Sequence, residues 1–171
     1  MDNKDKNIVL IGMPGVGKST AGVVLAKVAG YQFIDADLLI QKSEGRKLSE
    51  IIEKEGIDGF LEIENKVNAS IRAKRSVIAT GGSAVYGEKA MKHLKNIGTV
   101  VYLHTSYRIL SNRLKNLKSR GVVLREGQTL RSLYDERKPL YEKYADIIIE
   151  QDKLGIEQTV AAILDKLENM A

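Results

Sequence analysis

The sequence predicts an α/β fold in which helices cover both faces of a parallel sheet. Short, almost continuously apolar runs alternate along the chain with longer segments of helical periodicity. Such runs are typical of strands buried on both faces, as the strands of parallel sheets are. The 171 residues show no internal repeat and no low-complexity linker, so we expect one domain, residues 1–171, with a single substantial core.

The elements follow one another in a regular order. Five runs are predicted as strands, at 7–11, 31–34, 76–80, 99–103 and 146–150. Seven segments are predicted as helices, at about 18–29, 48–55, 57–73, 88–96, 106–117, 128–143 and 156–168. In sheets of this kind ligands bind beyond the carboxyl ends of the strands. The residues that follow the first three strands are therefore the first candidates for a functional site.

The first strand leads into GMPGVGKST, residues 12–20, which fills every fixed position of the pattern G-x-x-x-x-G-K-[ST]. In this pattern glycines let backbone N–H groups turn toward phosphates, and the following helix presents its positive end to them. Lys18 can reach the β- and γ-phosphates, and the Ser19 hydroxyl can ligate Mg²⁺. We therefore expect ATP and Mg²⁺ as ligands. The residues expected to hold the nucleotide are Gly15, Val16, Gly17, Lys18, Ser19 and Thr20.

The second and third strands end in DAD and TGGSAV. Asp35 and Asp37 lie two apart on an extended segment, so both carboxylates can point toward the phosphates. In the functional interpretation, Asp35 contacts the hydration shell of Mg²⁺ and Asp37 contacts a substrate hydroxyl. The alternative is that Asp37 caps the next helix. Gly81 and Gly82 permit close approach of the backbone to a ligand, although an ordinary turn has the same composition.

Two charged residues interrupt the apolar faces of two helices. Glu64 takes the open position of a face that also carries Phe60, Val67 and Ile71, and Arg137 interrupts a stripe of leucines and tyrosines on a later helix. An arginine can extend outward along its apolar stem, which is the simple explanation for Arg137. A carboxylate on an inward face needs a partner or a role. We favour one polar pocket shared by Glu64 and Arg137.

These motifs, together with GFLEIE and ERKPLYEKYAD, resemble those of the shikimate kinases, in order and over nearly the whole chain. The resemblance implies a P-loop kinase fold, with a five-stranded parallel sheet in the order 2-3-1-4-5. It also implies a substrate-binding helical segment at about 36–64 and a lid at about 114–127. The activity implied is transfer of the γ-phosphoryl group of ATP to a ring hydroxyl of shikimate.

The resemblance also implies roles for single residues. Asp35 would lie in the outer shell of the metal, and Asp37 would hold or activate the hydroxyl that is phosphorylated. Arg113 would lie along the adenine, and Arg120 would reach the phosphates from the lid. Catalysis would therefore depend on Lys18, Asp37 and Arg120. The residues that would contact the substrate are Asp37, Glu64, Gly81, Gly82 and Arg137, the last through the substrate carboxylate.

The chain departs from the family pattern at its substrate segment and its lid. The pattern Phe-Arg-x-Ile-Glu becomes FLEIE, so Leu61 replaces an arginine that clamps the carboxylate while Glu64 is kept. Glu64 must then pair with Arg137, a substrate hydroxyl or water. In the lid, Arg-Pro-Leu-Leu becomes Arg-Gly-Val-Val at 120–123, and Ser83 replaces a third glycine.

Three functions stay open at this stage. The first is a shikimate kinase, and the second is a kinase of the same family for another small polyol or hydroxy acid. The third is a nucleotide-binding regulatory module without turnover. Joint retention of Lys18, Asp37, Arg120 and Arg137 argues against the third.

The amino-acid composition limits which kinds of partner and which cellular compartment we expect for this protein. The net charge is +5, with basic and acidic residues interspersed, and the aromatic fraction of 5% offers no stacking platform for nucleic acid. No segment approaches the length of apolar sequence that a membrane span needs. The absence of cysteine fits a reducing compartment. We expect a cytoplasmic monomer with a small hydroxylated substrate and no nucleic-acid or membrane partner.

Overall fold

The computed structural model describes residues 5–115 and 122–171. Its strands are β1 (Asn7–Ile11), β2 (Gln32–Asp35), β3 (Ser76–Ala79), β4 (Gly98–His104) and β5 (Ile147–Glu150). They form one sheet in the order β2-β3-β1-β4-β5, and all four pairings are parallel. The predicted α/β class and the strand order implied by the resemblance are both confirmed.

Seven α-helices surround the sheet in the described ranges. They are α1 (Lys18–Ala29), α2 (Ala36–Glu44), α3 (Leu48–Ala69), α4 (Glu88–Ile97), α5 (Tyr107–Arg113), α6 (Leu130–Tyr144) and α7 (Ile156–Met170). Helix α1 packs against α7 and β3, α4 packs against α3 and β4, and α6 packs against β4. Within residues 5–115 and 122–171, no helix combines the length and apolar character that crossing a membrane requires.

The sheet brings the candidate site residues to one edge. Every residue of the central strand β1 is buried, because helices cover both faces of the sheet. The register pairs Leu10 of β1 with Ala79 of β3, and Ala79 in turn with Asp35 of β2. The three segments that follow these strands therefore start side by side.

Helix α2 is absent from the sequence prediction. Asp35 caps it: Oδ1 accepts hydrogen bonds from the backbone N–H groups of Asp37 (2.9 Å) and Leu38 (3.3 Å). The alternative that Asp37 caps this helix is therefore wrong. Only Ala36 and Ile40 are buried along α2, while Leu38 is exposed, so the helix shows little apolar periodicity.

The helix ends differ most from the prediction in α3 and α5. A break between 55 and 57 is confirmed, because Gly56 interrupts α3 with a positive φ (73°) and an extended ψ (177°), a combination that favours glycine. The second half ends at Ala69 rather than at 73, where the Ser70 hydroxyl donates to the Val67 carbonyl (2.7 Å) and closes the last turn. Helix α5 ends at Arg113, short of the predicted 117, and residues 116–121 lie outside the described ranges.

Candidate active site

The loop between β1 and α1 is folded around the Lys18 side chain. Gly12 has φ 148°, and a Cβ atom there would lie 2.7 Å from the Leu103 carbonyl oxygen, so the loop needs glycine at this point. Lys18 Nζ donates hydrogen bonds to the carbonyl oxygens of Gly12 (2.7 Å) and Met13 (2.9 Å). The ammonium group is thereby fixed inside the loop, at the N-terminal end of α1.

Lys18 is only 8% exposed, and this burial changes its acidity. Burial lowers the pKa of Lys18 from 10.5 to about 8, and the negative charge of Asp37 limits the fall. At neutral pH the amine therefore stays protonated, although its charge is poorly solvated. A phosphate group entering the loop would supply the counter-charge that this ammonium group needs.

Ser19 and Asp35 form a second pair at the same edge. The Ser19 hydroxyl donates to Asp35 Oδ2 at 3.5 Å, while the other oxygen of that carboxylate caps α2. In the described ranges, no three His, Cys, Asp or Glu side chains cluster closely enough to hold a metal by themselves. One hydroxyl and one carboxylate fit Mg²⁺, which commonly takes its other ligands from phosphates and water.

Asp37 and Glu64 converge on Gly81. A Cβ atom at Gly81 would lie 2.8 Å from Asp37 Oδ1 and 2.9 Å from Glu64 Oε2, so a side chain there would displace one of the carboxylates. Glu64 Oε1 accepts a 2.6 Å hydrogen bond from the Ser83 hydroxyl. Glu64 Oε2 is buried and has no hydrogen-bond partner among the described residues. The sequence analysis missed Ser83 as a partner of Glu64.

Burial makes both of these carboxyl groups weaker acids than usual. Burial raises the pKa of Glu64 from 4.5 to about 7, although the hydrogen bond from Ser83 acts in the opposite direction and lowers it. It also raises the pKa of Asp37; the charge of Asp35 adds to this rise and Lys18 opposes it. Near pH 7 Glu64 can therefore donate or accept a hydrogen bond, and a ligand hydroxyl could satisfy its unpaired oxygen.

Arg137 reaches the same place from α6. It is buried, its Nε donates to the Tyr86 hydroxyl (3.3 Å), and its guanidinium lies 5.3 Å from the Tyr86 ring centroid. A Cβ atom at Gly82 would lie 3.0 Å from Arg137 Nη1. Gly81 thus lies against the two carboxylates and Gly82 lies against the guanidinium.

Glu64 and Arg137 line one cavity of about 620 Å³, as the hypothesis of a shared pocket requires. Its polar lining includes Asp37, Glu64, Ser83 and Arg137. Its apolar side includes Leu48, Ile52, Phe60, Leu61, Val122 and Leu133. The position that the resemblance assigns to a clamp arginine therefore faces the cavity with a leucine.

Tyr141 holds the backbone of this site. Its buried hydroxyl donates a 2.6 Å hydrogen bond to the carbonyl of Gly82, and its ring stacks on Tyr102 with the centroids 5.0 Å apart. The sequence places Tyr141 on the inward stripe of α6, but no local signal shows that its hydroxyl would fix the Gly81–Gly82 turn. The sequence analysis missed this contact between Tyr141 and the turn.

The remaining predicted residues lie at the outer part of the site. Ser19 and Thr20 are exposed on the first turn of α1, and Arg113 is exposed at the end of α5. The next residue, Leu114, approaches the loop at residues 12–17 that is predicted to bind phosphate (the phosphate loop), since a Cβ atom at Gly15 would lie 2.8 Å from its Cδ2. Arg120 lies outside the described residues, as does part of the predicted lid.

The chain is similar in sequence and in structure to known shikimate kinases. The family model for shikimate kinase matches residues 14–168. A shikimate kinase from Thermodesulfovibrio yellowstonii is 38% identical over 169 residues, which is 97% of each chain. The structure of a shikimate kinase from Acinetobacter baumannii in complex with shikimate matches with a TM-score of 0.86 and 35% identity, over 96% of this chain and 94% of that one.

A second solved structure, of shikimate kinase from Aquifex aeolicus, has a TM-score of 0.81 and 32% identity, covering 96% of this chain and 97% of the other. Both the sequence similarity and the structural similarity extend over almost the full length of this chain and of each relative. The chain belongs to the shikimate kinase family.

Proposed function

We propose that this protein transfers the γ-phosphoryl group of ATP to a hydroxyl of shikimate, giving shikimate 3-phosphate. Family membership supports the reaction, and the relative from Acinetobacter baumannii is described with shikimate bound. The single observation that carries the proposal is the position of Asp37. Its carboxylate lies against Gly81 in the acceptor cavity, and its negative charge raises the pKa of Lys18 in the phosphate loop. Asp37 therefore lies between the acceptor cavity and the nucleotide site.

On the nucleotide side, the protein supplies fixed positive charge. Lys18 would bind the phosphates, and backbone N–H groups at the start of α1 would surround them. Ser19 would ligate Mg²⁺ and Asp35 would bind water in its outer shell, and the ion when bound would neutralise charge on the phosphate oxygens. Phosphoryl transfer depends mainly on such positioning and electrostatic stabilisation.

On the acceptor side, Asp37 would accept the proton of the attacking hydroxyl. Its raised pKa suits this role, because a carboxylate that is a stronger base takes the proton more readily. Arg137 would bind the carboxylate of shikimate, and Glu64 would bind a second hydroxyl through Oε2, which has no partner among the described residues. Gly81 and Gly82 would contact the acceptor through their backbone.

A second candidate is phosphorylation of another small polyol or hydroxy acid by the same machinery. The apolar side of the cavity, with Leu61 among its residues, favours this candidate. A regulatory module without turnover has less support, since Lys18, Asp37 and Arg137 are all present and buried or partly buried at one site.

We also propose that the protein acts in the cytoplasm as a monomer, in the biosynthesis of aromatic amino acids. The substrate class, a small hydroxylated molecule, fits a cavity of about 620 Å³. The proposal includes no nucleic-acid and no membrane partner. The low aromatic content and the interspersed charges support it.

The test is an ADP-release assay on the purified chain with Mg·ATP, using shikimate and a panel of other small polyols and hydroxy acids. We expect shikimate to give the highest kcat/KM and EDTA to abolish turnover. Lys18→Ala is the control for a contaminating kinase, because it removes the charge of the phosphate loop. Turnover of another acceptor at a higher kcat/KM would select the second candidate.

A further inference from the structure

Two cationic side chains line the acceptor cavity in the described part of the chain, and the roles assigned above use only Arg137. The other is Arg125, which follows Val122, Val123 and Leu124 along the edge of the cavity. Its side chain is 50% exposed, so its charge stays solvated in the free protein.

An ion pair places the Arg125 guanidinium beside α3. Its Nη2 lies 2.5 Å from Asp58 Oδ1. Asp58 precedes Leu61 by three residues in α3, and residues at this spacing are neighbours on a helix surface. The guanidinium therefore lies over the part of α3 where Leu61 lines the cavity without any charge.

A chain of hydrogen bonds joins Arg125 to Arg137. The Arg125 backbone N–H donates to Gln128 Oε1 (3.1 Å), and Gln128 Nε2 donates to Glu136 Oε2 (3.1 Å). The other oxygen of Glu136 accepts from the Tyr86 hydroxyl (3.0 Å), which in turn accepts from Arg137 Nε (3.3 Å). One network thus fixes the backbone at Arg125 relative to the buried arginine.

The Arg125 side chain can exchange its partner. Asp58 is 82% exposed, and ion pairs at such exposure contribute little to stability. A guanidinium has five N–H donors in a planar fork, and the recorded bond to Asp58 uses one of them. A ligand carboxylate in the cavity offers a bidentate arrangement that suits this fork.

We propose that Arg125 is a second ligand for the acceptor's carboxylate, in addition to Arg137, and that it contributes to acceptor specificity. This inference rests on the proposed function, in which the acceptor is a carboxylic acid. The cation on the α3 side of the cavity would then come from the segment after Val122 rather than from α3 itself.

The test compares Arg125→Ala with wild type on two acceptors, shikimate and its carboxamide, which lacks the negative charge. We expect KM for shikimate to rise about tenfold with little change in kcat or in KM for ATP, since one charge-assisted contact is lost. With the carboxamide, wild type and variant should have similar KM values. Arg125→Lys, which keeps the charge but loses the fork, should recover part of the loss.

Two matched variants separate this role from a structural one. Asp58→Asn removes the ion pair but keeps the Arg125 guanidinium, whose backbone is still held by Gln128, so the group is released to the ligand and KM for shikimate should stay unchanged or fall. Arg131→Ala removes a similarly exposed arginine that pairs with Asp135 on α6, and it should have no effect. A KM for shikimate in Arg125→Ala equal to that of wild type would overturn the inference, as would equal losses on both acceptors or an equal loss in Asp58→Asn.

Failure of the proposed function has a different signature. Wild type would then give no ADP release with shikimate, and the inference about Arg125 would fall with it. Turnover of shikimate by wild type with an unchanged KM in Arg125→Ala would leave the proposed function intact and reject only the inference.

Discussion

The Ser83 hydroxyl donates a 2.6 Å hydrogen bond to one oxygen of Glu64, while the other oxygen, Oε2, is buried without a partner in the described residues. This half-satisfied carboxylate lies between the Gly81 turn and the acceptor cavity. Burying such a group has a cost in stability, and a ligand hydroxyl can remove part of that cost. The relationship between these two residues therefore links the stability of the free protein to acceptor binding.

Glu64→Gln should change the pH dependence of stability. The folded pKa of Glu64, about 7, is raised above its ordinary value of 4.5, so its contribution is fully present below pH 4.5 and is lost as the pH rises to 7. A shift of this size corresponds to on the order of 3 kcal/mol. Urea unfolding at pH 4.5 and pH 8 should show a smaller fall in unfolding free energy for the variant than for wild type.

Ser83→Ala is the companion variant. The hydrogen bond from Ser83 lowers the pKa of Glu64, so its removal should raise that pKa further and extend the loss of stability to higher pH. Identical pH profiles for wild type and Glu64→Gln would show that Glu64 does not titrate in this range.

Lys18→Ala should abolish phosphoryl transfer and leave the fold intact. A positioned cation near the γ-phosphate contributes at least ~10²–10³-fold to the rate of such a reaction. Because burial lowers the pKa of Lys18, its charge is costly in the free protein, and removing it should not lower the melting temperature at pH 7. Single-turnover assays and thermal melts on the same samples check both expectations, and undiminished turnover would contradict the assignment of the phosphate loop.

Asp37→Asn should lower kcat by ~10²–10⁴-fold, the usual contribution of a general base, with little change in ATP affinity. Asp35→Ala is the contrast, because it removes the cap of α2 and should lower the unfolding free energy by about 1 kcal/mol. If Asp37→Asn loses stability and keeps its kcat, Asp37 has a structural role instead.

Tyr141→Phe should raise KM for the acceptor without changing KM for ATP. The variant keeps the stacked ring but loses the hydrogen bond that fixes the Gly82 carbonyl, so the turn that contacts the acceptor becomes less well positioned. Steady-state kinetics with each substrate varied in turn provides the measurement. An equal rise in both KM values would indicate a general loss of structure rather than a local effect on the turn.

The sequence predicts those parts of the site that depend on local pattern. The glycines and Lys18 of the phosphate loop lie within nine residues, and their geometry follows from that segment together with its flanking strand and helix. The inward positions of Glu64 and Arg137 follow from helical periodicity. These predictions need no knowledge of how distant segments pack.

Contacts between distant segments could not be predicted in this way. Ser83 and Glu64 are 19 residues apart, and nothing local distinguishes the Ser83 hydroxyl from a solvated one. The choice of Asp35 rather than Asp37 as the cap of α2 depends on backbone angles at the end of β2. Arg125 shares a basic stretch with several other cations, and only the ion pair with Asp58 places it against α3.

Leu61→Arg tests which acceptor the cavity is built for. The new guanidinium would lie on the same helix surface as Glu64 and would face the cavity that Arg137 also lines. If shikimate is the native acceptor, KM for shikimate should fall by roughly ten- to a hundred-fold, the scale of one charge-assisted contact of about 1.5–3 kcal/mol. The gain should be larger in an Arg125→Ala background, because the two arginines would serve the same carboxylate.

The decisive comparison is kcat/KM for shikimate and for the best other acceptor, in wild type and in Leu61→Arg. A cavity that is built for a less polar acceptor should lose activity toward that compound when arginine replaces leucine, while it gains activity toward shikimate. An unchanged kcat/KM for shikimate would mean that the carboxylate does not bind on the α3 side of the cavity. We expect a gain for shikimate, because the leucine leaves that side without a charge of its own.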